Sequence, residues 1–273
     1  MRILGILAVG AAVACGGGVV IVNNAPPPDA PPAVVTYGPS TMRYVSSQTR
    51  HIEQEVNGQV TANDVRTVIQ LSAELAQGEA GLTATMTLDS ITSTGGGVPP
   101  GQIAAARGAG FTGQLAPNGR IEGLTGDEAA LSVLEQLRHS LADFYPTLPV
   151  GGALPGSVWT DTTTRDIAAG PLQVTIVATT RHEALGFTEY DGARALPIQS
   201  DGTYTLNGTG EQSGQQLTLD GTGQRHETAF VSYDGRFLGS FAADSANIDV
   251  LIEAFGLIIP VVQIGQDTIR VLR

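Results

Sequence analysis

Two stretches of the chain set an arginine, a histidine and a glutamate side by side: Arg181-His182-Glu183 in "TRHEALGF" and Arg225-His226-Glu227 in "QRHETAFV". Only two other histidines exist, and each also follows an arginine, at Arg50-His51 and Arg138-His139. Imidazole beside carboxylate is the material of acid–base catalysis and of metal ligation. A zinc centre, however, needs three or four converging His, Cys or carboxylate ligands, often at short spacing. The chain contains no H-x-x-x-H, H-x-H or C-x-x-C. In a strand, residues i and i+2 share a face. Arg181 therefore points with Glu183, and Arg225 with Glu227, while each histidine points the other way. That layout suits Arg–Glu pairing on repeated strands and names no metal ligand.

Other chemistries find less support. No G-x-S-x-G elbow is present; "GPS" at Gly38 and "LGS" at Gly239 do not fit it. A glycosidase needs two carboxylates facing each other, and 26 acids scattered along the chain read as solvation. "LNGTGEQSG" (206–214) is glycine-rich but lacks the lysine of a phosphate loop, and no Asp-x-Asp-x-Asp ladder for calcium occurs. The sequence thus names no catalytic residue and no cofactor. A metal-binding protein or a hydrolase stays as the minor alternative.

The elements that must carry these residues are strands. Val65, Thr67, Ile69, Leu71, Ala73 and Leu75 alternate with polar residues, as do Leu82, Ala84, Met86 and Leu88, the mark of half-buried antiparallel strands. Asn-Gly or Asp-Gly occurs seven times, at Asn57, Asn118, Asp191, Asp201, Asn207, Asp220 and Asp234. Such pairs supply the positive dihedrals of tight hairpins. One helix interrupts, over 127–145, opened by a Thr125-x-x-Glu128 capping box and closed by Pro146. Ala130, Leu134, Leu137, Leu141 and Phe144 form its apolar stripe, with Arg138 flanking it and His139 facing solvent. "APNGRIEGL" (116–124) and "SYDGRFLGS" (232–240) share a turn followed by arginine, which suggests two related halves, 41–126 and 147–273. The expected fold is mainly β: an antiparallel meander, or a curved sheet or half-barrel, with one helix laid across it. Trp159 reads as a core anchor at the start of a strand. The proline-glycine turn before it and the threonines after it resemble uncharacterised envelope lipoproteins with curved-sheet domains.

Composition narrows the partners. The formal charge is −12 and every one of the fourteen cations is arginine. That excludes the concentrated positive face of a nucleic-acid binder and a polybasic grip on anionic lipid.

At the N-terminus, "MRILGILAVGAAVAC" has one cation, an apolar run from Ile3 to Ala14, and the sole cysteine. This is signal-peptide organisation. Ala12-Val13-Ala14-Cys15 resembles the lipobox of bacterial lipoproteins, although Ala12 stands where that family more often has leucine. The resemblance implies a signal peptide over 1–14 and acyl chains on Cys15, hence a stable membrane anchor. A cleaved, unlipidated peptide and a retained helix are the alternatives; Gly16-Gly17-Gly18 makes a poor helix. Gly16 after the cysteine, in place of aspartate, resembles lipoproteins delivered to the outer membrane of diderm bacteria. Six prolines between Asn23 and Pro39 make residues 15–40 a tether.

An anchored curved sheet with a helix across it resembles lipoprotein carriers that hold acyl chains between sheet and helix. The residues lining such a cavity would be Val65, Ile69, Leu71, Leu82, Met86, Leu88, Leu134, Leu137 and Leu141. The same pattern describes a filled core, which would leave a structural or interaction lipoprotein meeting other envelope proteins.

Overall fold

The computed structural model describes residues 34–273 apart from 80, 96–99, 127–131, 170–171 and 213. The expected signal peptide over 1–14, Cys15, Glu128 and Ala130 lie outside the described residues. The chain runs β1 (Ser40–Val56), β2 (Gln59–Gly78), β3 (Gly81–Thr94), α1 (Pro100–Ala106), β4 (Gly110–Leu115), β5 (Ile121–Gly126) and α2 (Ser132–Ala142). It continues β6 (Val158–Ala169), β7 (Leu172–Ala184), β8 (Thr188–Tyr190), β9 (Ala193–Gln212), β10 (Gln215–Ser232), β11 (Phe237–Ile252), a 3-10 turn (Glu253–Phe255) and β12 (Leu257–Val271).

All the strands belong to one antiparallel sheet in the order β5-β4-β3-β2-β1-β12-β11-β10-β9-β7-β6, with β8 on β9. The first strand pairs with the last, Tyr44 opposite Val271 through Gln54 opposite Val261. Closure is incomplete: β5 and β6 are the two ends of the sheet. The expected curved antiparallel meander is thus the fold. Helix α2 touches both end strands, and Asp143 just beyond it reaches Arg120 before β5 at 3.2 Å and Arg165 of β6 at 3.0 Å. An ion-paired stitch therefore crosses the seam where backbone pairing stops.

Alternation positions the core. Ile69, Leu71, Ala73 and Leu75 of β2 and Ala84, Met86 and Leu88 of β3 are all buried, together with Leu134, Leu137 and Leu141 of α2. Full burial of each leucine stabilises the helix on the sheet by about 2 kcal/mol. Tyr44, Phe144, Tyr145 and Phe237 complete this first apolar cluster with edge-to-face ring contacts, and the Tyr44 hydroxyl donates to the Phe237 carbonyl at 2.9 Å. A second cluster gathers Ile52, Val174, Leu206, Ile248, Val250, Ile259 and Val261 from strands far apart in the sheet, so the sheet rolls until its inner face packs on itself.

Several expectations are revised. Thr125 lies in β5, its hydroxyl donating to the Thr112 carbonyl, so the strand takes the residue assigned to the cap. The described part of the helix is 132–142, and the chain leaves it four residues before Pro146. Helix α1 was not foreseen. Val35 and Tyr37, placed in the tether, belong to the folded body: Val35 is fully buried and bridges Ala153, and the Tyr37 hydroxyl donates to the Pro146 carbonyl.

The Asn-Gly and Asp-Gly pairs divide into two groups. Asn57-Gly58 and Asp191-Gly192 are two-residue hairpin loops with both φ positive, the geometry these pairs favour. Asn118-Gly119 and Asp234-Gly235 also turn. They sit in matching hairpins, with Ala116 N donating to Arg120 O and Ser232 N to Arg236 O, both at 2.8 Å. Asp201-Gly202, Asn207-Gly208 and Asp220-Gly221 instead lie inside the long strands β9 and β10, with the glycine on the inner face. A Cβ on Gly208 would sit 2.9 Å from the Gln173 carbonyl, and one on Gly221 2.7 Å from that of Asn247. Their glycines permit close approach in a tightly rolled sheet.

Candidate functional site

The inner face carries a polar belt between the two apolar clusters. Register defines it. One row of inward residues runs Arg50–Gly265–Asp244–Arg225–Gly202–Thr180–Asp161 from β1 to β6. The row beside it runs Gln48–Asp267–Ala242–Glu227–Ser200–His182–Trp159. Such buried charge is costly unless it is paired and hydrogen-bonded.

Asp267 of β12 supplies the pairing. Its Oδ1 lies 2.7 Å from Nη2 of Arg50, whose side chain is 5% exposed, and its Oδ2 accepts from Arg225 Nη1 at 2.9 Å. Arg50 also donates to the Thr49 carbonyl at 2.8 Å, and Arg225 to Glu227 at 3.2 Å. Burial works against the charge on Arg225, but Glu227 and Asp267 override it and hold its pKa above the ordinary value. Asp244, 2% exposed, accepts from the Tyr204 hydroxyl at 3.4 Å. Burial pushes its carboxyl up to about 7, against the pull of Arg225 and Arg50. Burial also raises Tyr204. Glycines make the room: a Cβ on Gly223 would stand 2.2 Å from Tyr204 Cζ.

At the β6 end, His182 bridges two strands. Its Nδ1 is 2.8 Å from Ser200 Oγ and its Nε2 is 2.9 Å from Asp161 Oδ1, with the Trp159 ring stacked on it at 5.2 Å. A histidine between serine and aspartate is the arrangement that activates a nucleophile. Acyl transfer also needs donors aimed at a developing oxyanion. Ser200 sits in mid-strand, paired by β7 on one side and β10 on the other, so the amides around it are committed to the ladders. The three groups satisfy one another as a half-buried network.

The two Arg-His-Glu triplets face opposite ways. In β7 the inward positions are even-numbered, so His182 is buried while Arg181 and Glu183 pair outside at 2.9 Å. In β10 they are odd-numbered, so Arg225 and Glu227 join the belt while His226 lies outside against Asp201 at 2.5 Å. The expected pairing of arginine with glutamate on one face holds in both; equivalence of the triplets as a repeat does not. His51 is also outward, its Nδ1 2.8 Å from Asp64 and its Nε2 3.1 Å from Glu53, and the Asp64 hydrogen bond, then that of Glu53, raises its pKa. His139 is in the last turn of α2. Among the described residues no group of three or more His, Cys, Asp or Glu side chains is arranged to hold a metal ion.

Of the nine residues proposed to line a ligand space, the structure brings eight together in the first cluster. Val65 packs against the second cluster instead. Between α2 and the sheet, the space bounded by Ile69, Leu71, Met86, Thr87, Leu88, Leu137 and Leu141 is about 170 Å³ of gaps, with no room for a water-sized sphere. Trp159 is a partly buried anchor near the start of β6, and its Nε1 is a buried donor without a partner among the described residues.

The belt was not foreseen in the sequence. A signal existed: Val174, Ile176 and Ala178 fix even parity inward in β7, and Leu217 and Leu219 fix odd parity in β10, which places His182 and Arg225 on the inner face.

No protein-family model matches the chain, and no curated protein sequence matches it. Among solved structures, a chain described as "Crystal structure of Pseudomonas aeruginosa OccK2 (OpdF)" aligns over 85% of this chain and 98% of its own, at 10% identity and a TM-score of 0.30.

Proposed function

We propose that the protein is a lipid-anchored cell-envelope protein, non-catalytic, whose domain is a filled β scaffold that meets other envelope components through its outer strand faces. In this reading residues 1–14 are removed, acylated Cys15 holds the chain in the membrane, the outer one in a diderm organism, and the segment up to about residue 33 is the spacer. The observation that carries the scaffold reading is the packing of α2: Leu134, Leu137 and Leu141 are buried, and among the described residues the gaps that Leu137 and Leu141 form with β2 and β3 hold no ligand-sized space. An acyl chain held there would require α2 to lift from both end strands. Native mass spectrometry of the protein purified from its own cells tests this. The scaffold reading predicts the mass of the chain plus its covalent anchor; a stoichiometric lipid or fatty acid released on denaturation would overturn it in favour of a carrier.

A further inference from the structure

The outer face of the sheet is largely short and polar. Thr162, Thr179 and Thr203 form one row across β6, β7 and β9, and Thr205 faces Thr222. Strand β12 departs from this. Its outward positions Ile258, Pro260, Val262 and Ile264 follow one another without a polar residue between them, and Phe255 is exposed in the 3-10 turn that precedes the strand. Ile258 is 57% exposed, Val262 38%, Ile264 41% and Phe255 72%. A contiguous exposed apolar line on an otherwise polar face marks an interaction site, where scattered single residues would not.

Charge on both sides of the ridge has one sign. On the β1 side, Glu53 faces Val262, Glu55 is the next outward residue, and His51 opposite Ile264 is bonded to both Glu53 and Asp64. On the β11 side, Asp249 faces Pro260, and Asp220 of β10 faces Asp249 in turn. Arg66, two positions along β2 from Asp64, and Arg43, farther along β1, are arginines on this side of the outer face.

We propose that the ridge Ile258–Ile264 with Phe255 is a docking surface for a polypeptide segment bearing an apolar stripe flanked by lysine or arginine. This rests on the interaction reading above and names its partner. A second copy of the same ridge would bring like charges together, in a chain of net charge −12 without a lysine, and an anionic lipid surface is repelled for the same reason. A basic amphipathic segment covers the ridge and answers the acids at once.

Two synthetic peptides test it against the full chain: one alternating valine and lysine, and one alternating serine and lysine with the same charge. The expected result is at least tenfold tighter binding of the valine–lysine peptide, with the difference abolished by Ile258→Thr plus Val262→Thr, which remove apolar surface and add no charge. Both side chains point outward, so the variant keeps the parent's melting curve and its affinity for the serine–lysine peptide. Equal affinity for the two peptides, or a preference that survives the double substitution, overturns the proposal. A photo-crosslinker at Val262, compared with one at Thr205, separates this from the broader reading. Protein adducts at Thr205 and none at Val262 would keep an interaction role and remove the ridge.

Discussion

Arg50 of the first strand and Asp267 of the last face each other at 2.7 Å inside the sheet, and Arg225 takes the other oxygen of the same carboxylate at 2.9 Å. One acid thus pairs with two arginines, and Glu227 shares the second of them at 3.2 Å. Removing one partner of a buried pair costs about 3–5 kcal/mol, because the charge left behind has no partner. Asp267→Asn strands Arg50, while Arg225, its side chain 35% exposed, keeps Glu227 at 3.2 Å, so stability in urea unfolding is expected to fall by about 3 kcal/mol, the low end of that range. Arg50→Met should cost less, since Asp267 keeps Arg225.

The buried carboxyl of Asp244 makes stability fall as pH rises. Its folded pKa is about 7, against an ordinary 3.8. Below pH 4 both states hold the proton; between 4 and 7 only the folded state does, so unfolding gains from deprotonation until the folded group also ionises. The full span is at most on the order of 4 kcal/mol. Arg225, Arg50 and Asp267 surround the carboxyl, with Tyr204 bonded to it. His51, raised by Asp64 and Glu53, acts in the same direction. Asp244→Asn should flatten the decline from pH 4 to 7 in chemical denaturation while leaving the smaller His51 decline, which begins only above that group's ordinary 6.5.

The non-catalytic reading makes a prediction about Ser200. Its hydroxyl bonds His182 at 2.8 Å, yet a fluorophosphonate should leave it unmodified by peptide mass mapping at neutral pH. Labelling at Ser200 that disappears in His182→Ala would establish an activated nucleophile and end that reading.

Gly223 tests the rolled sheet. A methyl there would stand 2.2 Å from Tyr204 Cζ, 2.4 Å from its hydroxyl and 2.7 Å from the Ser245 carbonyl. Gly223→Ala should destabilise by about 1–3 kcal/mol through overpacking, and Thr222→Ala, outward on the same strand, by far less. Equal effects in thermal melts would mean that the inner face at Tyr204 is loose.

Much of this architecture is legible because alternation is local. The runs at 65–75 and 82–88 state which residues face inward, and the structure buries Ile69, Leu71, Ala73, Leu75, Ala84, Met86 and Leu88 and half-buries Val65, Thr67 and Leu82. The Asn57 and Asp191 pairs are legible for the same reason, since a turn is decided by its own two residues. The pairs at Asp201, Asn207 and Asp220 carry the same letters but answer to neighbours on other strands, such as Val174 beside Gly208 and Ile248 beside Gly221. Spacing along the chain does not encode that proximity. The polar belt is hidden in the same way: Arg50, Tyr204, Asp244 and Asp267 are distant in sequence, and register alone brings them into adjacent rows. Thr125 reads as a cap until β4 claims it as a strand partner of Thr112.

The proposed function stands first of all on an acyl anchor at Cys15. Metabolic labelling with an alkynyl palmitate, followed by membrane fractionation, tests it in one experiment on the native chain and on Cys15→Ser. Label and membrane retention are expected for the native chain, and loss of both for the variant. A variant that stays in the membrane fraction, or a native chain that takes up no label, would contradict it.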